Sequence, residues 1–208
     1  MQLSDFRRFV SPSVEGCPDE MVRLAIVRAV RRLCNEAKVW REIQDPVSLQ
    51  DGVSVYEPDA PSGGRIAGVS EVWCANRKLI CKTMRELPAN WQTAQGTDPT
   101  WFNAAADFTS IRVFPIPALP TAQLTIECWF EPTTDTESLP DFLMQRYESQ
   151  IIDGAKATLM AMPRNTWTDM QLAVYHQKLF DDSIVTAAIT LLHDRAQGSL
   201  RVPSIAFR

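Results

Sequence analysis

The sequence predicts an α+β fold, in which a bundle of three main helices carries an inserted, mostly antiparallel β domain and ends in an extended C-terminal arm. Apolar residues recur at helical spacing near the start of the chain and again in two long stretches near its end. Between these regions apolar residues alternate with a period of two, and prolines and glycines interrupt them. The 208 residues and the 45% hydrophobic content suffice for a core without metal or disulfide staples.

The first bundle helix is predicted over residues 18–40, because Pro18 suits a first helical position and apolar residues recur from Val22 to Trp40. Residues 1–17 before it are expected to form an irregular N-terminal arm that could dock as one helical turn. The opposite face of the helix is basic and could contact DNA or an acidic partner, or it could be solvated and balanced by nearby acids. Its basic residues are Arg23, Arg28, Arg31, Arg32 and Lys38.

Residues 41–138 are predicted to form the inserted β domain, with roughly six strands that are mostly antiparallel because their links are short. Asp51-Gly52 is a tight-turn signal between two alternating runs, so a hairpin is predicted from Val47 to Val55. The spacing of Thr83 and Glu86 predicts a capping box. The region from Pro88 to Asn103 is expected to be an irregular loop. Its aromatic residues either pin it to the body or contact a subunit or the tail: Trp91, Trp101 and Phe102.

The other two bundle helices are predicted within residues 139–197, as an antiparallel hairpin. Small residues from Gly154 to Ala157 predict that another helix approaches closely, and Asn165 or Thr166 is expected to cap the last helix. Helical spacing predicts a buried face on this last helix, made of Met170, Ala173, Val174, Gln177, Phe180, Ile184, Ala187, Ala188 and Leu191.

Residues 198–208 mix apolar and polar side chains beyond the helical pattern. A merely frayed terminus would be more polar, so this segment is predicted to be an arm that docks on a neighbouring chain. The candidate docking residues are Leu200, Arg201, Val202, Pro203, Ile205, Phe207 and Arg208.

No catalytic, cofactor-binding or metal-binding residues are predicted. The chain lacks nucleophile-elbow, phosphate-loop and zinc motifs. Its two histidines, His176 and His193, would lie roughly 25 Å apart on one helix and cannot share a metal within a subunit. The five cysteines form no CxxC pair and are expected to be free thiols, and the net charge of −4 gives no global attraction to nucleic acid. Without an apolar leader or membrane span, synthesis in the cytoplasm is expected.

Several groups of apolar and turn residues follow one another in a set order. They are Gly16–Val22 leading to Leu33–Glu36 and Val39-Trp40, then Gly52–Tyr56 with Pro58, Ile66–Val72 before Leu79, Trp101-Phe102, Phe114–Pro117, Pro132, Leu139-Pro140 and Gly154-Ala155. This series, over about residues 15–195, resembles the bacteriophage head-to-tail adaptor family.

The resemblance implies a structural virion protein in the neck between capsid and tail, made in the host cytoplasm, with no enzymatic activity and no cofactor. Such a protein forms a homo-oligomeric ring of about twelve copies that binds the portal protein and extends the DNA channel. The ring is a platform for the tail nozzle or tail-tube protein, and double-stranded DNA passes through it without sequence-specific contact. In that family the C-terminal segment reaches the portal, which would be the role of residues 198–208.

Three other functions stay open from the residues alone. One is another neck or tail-terminator protein, although the C-terminal helical hairpin argues against it. Another is a small enzyme with a site between subunits around His176, with Asp181 as its acid–base partner. The last is a scaffold domain that binds peptides at a sheet edge.

Overall fold

The computed structural model describes residues 2–118 and 121–196. Within these ranges the fold is a mixture of α-helices and mainly antiparallel β-sheets. The described residues form two compact units. One contains the residues up to Val39 and those from Glu137 onward, and the other is Trp40–Thr136. We call them the helical unit and the β unit.

Among the described residues the helical unit contains four helices, so the predicted number of three is wrong. They are α1 (Ser4–Val10), α2 (Asp19–Ala37), α3 (Asp141–Met160) and α4 (Met170–Ala196), with a 3-10 turn at Ser11–Ser13 after α1. The additional helix, α1, forms where an irregular arm was expected. Leu3 just before it, and Phe6 and Val10 within it, follow helical spacing and are all buried, which gives this short segment an apolar face to pack on α2 and α3. No helix in residues 2–118 and 121–196 is long and apolar enough to cross a membrane.

Helix α2 ends earlier than predicted. Lys38 follows its last residue in the left-handed conformation, with φ of 52°, and this reverses the chain direction. Trp40 therefore lies outside the helix, although the sequence placed it on the helical apolar face. Its buried ring belongs to the β unit and packs against Phe130, with ring centroids 5.9 Å apart.

The cap of α4 also differs from the prediction. Asp169 Oδ1 accepts hydrogen bonds from the backbone N–H groups two and three residues further on, each at 3.0 Å. Asn165 and Thr166, the predicted caps, belong to the preceding turn, in which the Asn165 N–H donates to Thr168 Oγ1 at 3.0 Å. The carboxylate of Asp169 suits this position because it also complements the positive end of the helix dipole.

Helices α2, α3 and α4 meet at Gly154, which confirms the close approach predicted from the small residues of α3. A Cβ atom at Gly154 would lie 2.9 Å from the Cβ of Ala29 in α2 and 2.8 Å from a ring carbon of Phe180 in α4. Only a residue without a side chain fits between these two neighbours. The glycine therefore sets how closely the three helices pack.

The β unit contains eleven strands among the described residues, several of them only two residues long. They are β1 (Arg41–Ile43), β2 (Val47–Ser48), β3 (Val55–Tyr56), β4 (Gly64–Cys74), β5 (Arg77–Lys78), β6 (Ile80–Cys81), β7 (Gln95–Gly96), β8 (Trp101–Ala104), β9 (Ile111–Phe114), β10 (Ile116–Pro117) and β11 (Gln123–Pro132).

Three sheets result from the pairing of these strands. A five-stranded sheet has the order β1-β11-β4-β5, with β2 also paired to β11, and a four-stranded sheet has the order β3-β9-β8-β6. Pairing is antiparallel except in β6–β8 and in the separate pair β10–β7. The long β4–β11 ladder contains two register irregularities. Leu124, Ile126, Cys128 and Phe130 of β11 are buried.

The hairpin predicted around Asp51-Gly52 is wrong. The turn forms, and Gly52 has a φ of +72°, but its flanking strands separate. Strand β2 pairs with β11 in one sheet, and β3 pairs with β9 in another. The chain passes from sheet to sheet through two-residue strands, which alternation over a few residues cannot distinguish from a local hairpin.

Candidate interaction surfaces

The described residues hold no group of three or more His, Cys, Asp or Glu side chains arranged to bind a metal ion. The enzymatic alternative paired His176 with Asp181, but these two residues have other partners. His176 Nδ1 lies 2.8 Å from Asp153 Oδ1 of α3, and Asp181 Oδ1 lies 2.8 Å from Arg32 Nη1 of α2. Asp153 and Asp181 thus each form an ion pair that links two helices. His193 is exposed near the end of α4.

Two of the five basic residues predicted on the outer face of α2 form ion pairs with acids. Arg23 Nη2 lies 2.6 Å from Glu20 Oε1, and Arg32 Nε lies 2.7 Å from Glu36 Oε1. The hydrogen bond from Arg23 holds the pKa of Glu20 below its ordinary value, and the bond to Glu36 raises the pKa of the Arg32 guanidinium. Arg32 also lies over the Phe180 ring, 5.3 Å from its centroid. These pairs favour a solvated face that nearby acids balance over a face that binds DNA phosphates.

The predicted contact aromatics occupy different environments. The region expected to be a loop contains β7 and most of β8, where Phe102 is only 3% exposed and fills the interior of the β unit. Trp101 is half-buried, and Lys82 Nζ lies 3.9 Å from its ring centroid. Trp91 packs edge-on against Phe114, and the centroids are 5.4 Å apart. Trp91 and Trp101 thus keep part of their surface accessible, whereas Phe102 does not.

Helix α4 exposes a large apolar surface that the sequence prediction missed. The predicted buried face is only partly buried: Phe180 and Ile184 are covered, but Met170 and Val174 are exposed. Eight large apolar side chains of this helix have between 38% and 65% of their surface exposed. They are Met170, Leu172, Val174, Tyr175, Leu179, Val185, Ile189 and Leu192. We call them the outer face of α4.

The C-terminal half of this outer face carries no charge. Between Ser183 and Leu192 the sequence contains no Asp, Glu, Lys or Arg. Its two exposed threonines bond to their own helix: Thr186 Oγ1 donates to the Asp182 carbonyl and Thr190 Oγ1 to the Thr186 carbonyl, each at 2.9 Å. The hydroxyls are thereby satisfied within the helix. A helix that is apolar on all sides is typical of one that is covered on all sides, and this is the signal that predicts a second contact surface.

A groove lies beside this half of α4, between α3 and α4. Its volume is about 340 Å³. Tyr147, at which α3 has a non-helical φ of −128°, lies in its wall. The groove is lined by Arg146, Tyr147, Gln150, Ser183, Thr186, Ala187 and Thr190.

The predicted docking arm, residues 198–208 with Leu200, Arg201, Val202, Pro203, Ile205, Phe207 and Arg208, lies outside the described residues. Comparison of the sequence with protein-family models identifies a matching family. A protein-family model described as SU10 adaptor protein matches residues 1–203. The chain has no match among curated proteins.

Proposed function

Since the chain belongs to the SU10 adaptor protein family, we propose that it joins the capsid portal to the tail of a tailed bacteriophage. An adaptor of this family is a structural phage protein that is incorporated into the virion and acts by binding other virion proteins. The match over residues 1–203 carries the proposal, because it includes every described helix and strand.

The proposed assembly is a ring of about twelve copies under the portal protein. The ring extends the DNA channel, and its far side supports the tail nozzle or tail-tube protein. The net charge of −4 and the ion-paired arginines of α2 favour passage of double-stranded DNA over its retention, since a strongly basic channel would hold DNA through many phosphate contacts. Trp91 and Trp101 are proposed contacts for a subunit or the tail, because both retain accessible ring surface.

Electron microscopy of the full chain mixed with purified portal rings tests this function. Class averages of the mixture should contain an additional ring of density on one end of the portal, and portal alone should lack it. Portal particles without added density, under conditions in which the chain is folded and in excess, would contradict the proposal.

Deletion of residues 199–208 tests the proposed portal-docking arm. The shortened chain should keep the thermal unfolding midpoint of the full chain and lose its binding to portal rings in co-sedimentation. A full chain with Leu200, Ile205 and Phe207 replaced by serine is the matched control for length, and it should lose binding as well. Undiminished binding of both variants would remove the arm from the proposal while leaving the ring intact.

A further inference from the structure

Three residues form a ridge on the uncharged half of α4. Val185, Ile189 and Leu192 are separated by four and three positions, so they lie on one side of the helix over about two turns. Their exposed fractions are 58%, 49% and 61%. No acid or base lies within this stretch of the sequence. Water contact with such a ridge is unfavourable, so its burial against a partner would favour association.

The groove between α3 and α4 lies at the same level of the helix as the ridge. Ser183, Thr186, Ala187 and Thr190 line it from α4, and the ridge spans residues 185–192. At 100° per residue, the ridge and the groove point in directions roughly 140° apart around the helix axis. One subunit thus carries a projection on one side of α4 and a depression on nearly the opposite side. Two different patches on opposite sides are what a heterologous, repeating contact requires.

Charges beside the ridge and the groove are complementary. Asp182 precedes Val185 by one turn on the same side of α4, and its side chain forms no ion pair with any described residue. Arg146 lines the groove, and among residues 2–118 and 121–196 it too has no ion-pair partner. When a ridge enters a groove, the acid beside one faces the base beside the other.

We propose that copies of this chain associate side by side, with the ridge of one copy (Val185, Ile189, Leu192) seated in the α3–α4 groove of the next. The inference rests on the proposed function for its biological use, since it identifies the contact that would close the ring. The ridge of a second copy fits the groove better than it fits another ridge, because ridge-to-ridge contact would leave the groove and Arg146 without a partner.

A matched pair of substitutions locates the contact. Val185→Asp places a charge in the ridge, and Val174→Asp makes the same change at an equally exposed valine three turns away. Sedimentation velocity of the full chain at rising concentration, alone and with portal rings, measures the association. We expect Val185→Asp to weaken it at least about 100-fold and Val174→Asp to change it less than about threefold. Equal effects of the two variants would overturn the inference, as would a wild-type chain that does not self-associate in either condition.

A mixing experiment tests whether the contact is heterologous. Thr190→Arg fills the groove and leaves the ridge intact, whereas Val185→Asp damages the ridge and leaves the groove intact. Each variant alone should remain monomeric, and a mixture of the two should form a one-to-one dimer through the surviving ridge and groove. If Thr190→Arg associates like wild type, or the mixture stays monomeric, the ridge-in-groove contact is wrong.

Charge exchange tests the register. Arg146→Asp and Asp182→Arg should each weaken association about tenfold, and the double variant should recover most of the loss, because opposite charges again face each other. No recovery in the double variant would contradict this placement of the two charges.

Different results would refute the ridge contact and the adaptor function. Normal rings of Val185→Asp on the portal would refute the ridge contact and support the adaptor function. Ridge-dependent self-association without portal binding would do the reverse.

Discussion

Helices α2 and α4 belong to the same unit and pack on the same glycine, but their solvent-facing surfaces differ in character. The polar face of α2 carries charged residues, two of which form ion pairs within the helix: Arg23 with Glu20 and Arg32 with Glu36. Nine of its apolar residues are buried: Val22, Ala25, Ile26, Val27, Ala29, Val30, Leu33, Cys34 and Ala37.

Helix α4 buries Phe180 and Ile184 against its own unit and exposes an apolar face on the other side. The apolar residues of α2 are therefore covered within its own unit, whereas α4 has a second apolar surface that none of the described residues covers. The difference teaches that apolar periodicity alone does not separate a core helix from an assembly helix. The charge on the remaining face separates them.

The largest expected difference in stability is between one substitution on the buried face of α4 and one on its exposed face. Phe180→Ala should destabilise the chain by about 3–5 kcal/mol, because its ring is 2% exposed and fills the junction at Gly154. Val185→Ala on the outer face should change stability by less than about 0.5 kcal/mol. Urea unfolding of both variants measures the two free energies. Similar losses would mean that the outer face already has a partner within the chain.

The next effect concerns the meeting point of α2 and α4. Gly154→Ala should destabilise the chain by about 1–3 kcal/mol, since the added methyl would lie within 3 Å of Ala29 and Phe180. In an unconstrained helix the same change stabilises, because alanine is the better helix former. Ser149→Ala, at an exposed position of α3, is the control and should be neutral or slightly stabilising. A stabilised Gly154→Ala variant in urea unfolding would disprove the close approach.

A smaller effect is expected where an arginine links the two helices. Arg32→Ala removes contacts to Glu36 and Asp181 and the stacking on Phe180, so we expect a loss of about 1 kcal/mol after solvent screening. Arg28→Ala, at an exposed position of the same helix, should have little effect. Thermal unfolding at low and high salt measures both, and high salt should reduce the difference. An equal response of both variants would remove Arg32 as a link.

The smallest effect is a pH dependence confined to α2. The pKa of Glu20 is lowered in the folded chain, chiefly by the hydrogen bond from Arg23. Its contribution to stability is therefore present above the ordinary value of 4.5 and is lost as the pH falls through the folded value. The difference in melting temperature between wild type and Glu20→Gln should shrink on acidification below pH 4.5. A constant difference would contradict the lowered pKa.

Local signals in the sequence predicted much of this structure. Period and proline placement located α2 and α3, and small residues located the junction at Gly154. The predicted capping box also forms, with the Thr83 N–H donating to Glu86 at 2.7 Å. In each of these cases the partners are close in sequence or the residue type tolerates only one environment.

Choices between distant partners could not be predicted. The two runs beside Asp51-Gly52 enter different sheets, because pairing with β11 and β9 is decided by tertiary contacts. Asp169 caps α4 instead, and Asn165 bonds to Thr168 within the preceding turn. The outer face of α4 was misassigned as partly buried because its apolar residues surround the helix, so spacing alone cannot select the inner side.

Residue-level hydroxyl-radical footprinting of the free chain and of the chain assembled on portal rings tests the assembly role of α4 most directly. Val185, Ile189 and Leu192 should be modified in the free chain and become protected on assembly. Phe180 should be protected in both states, because it is buried within the subunit. Equal modification of the three ridge residues before and after assembly would contradict the role assigned to the outer face of α4.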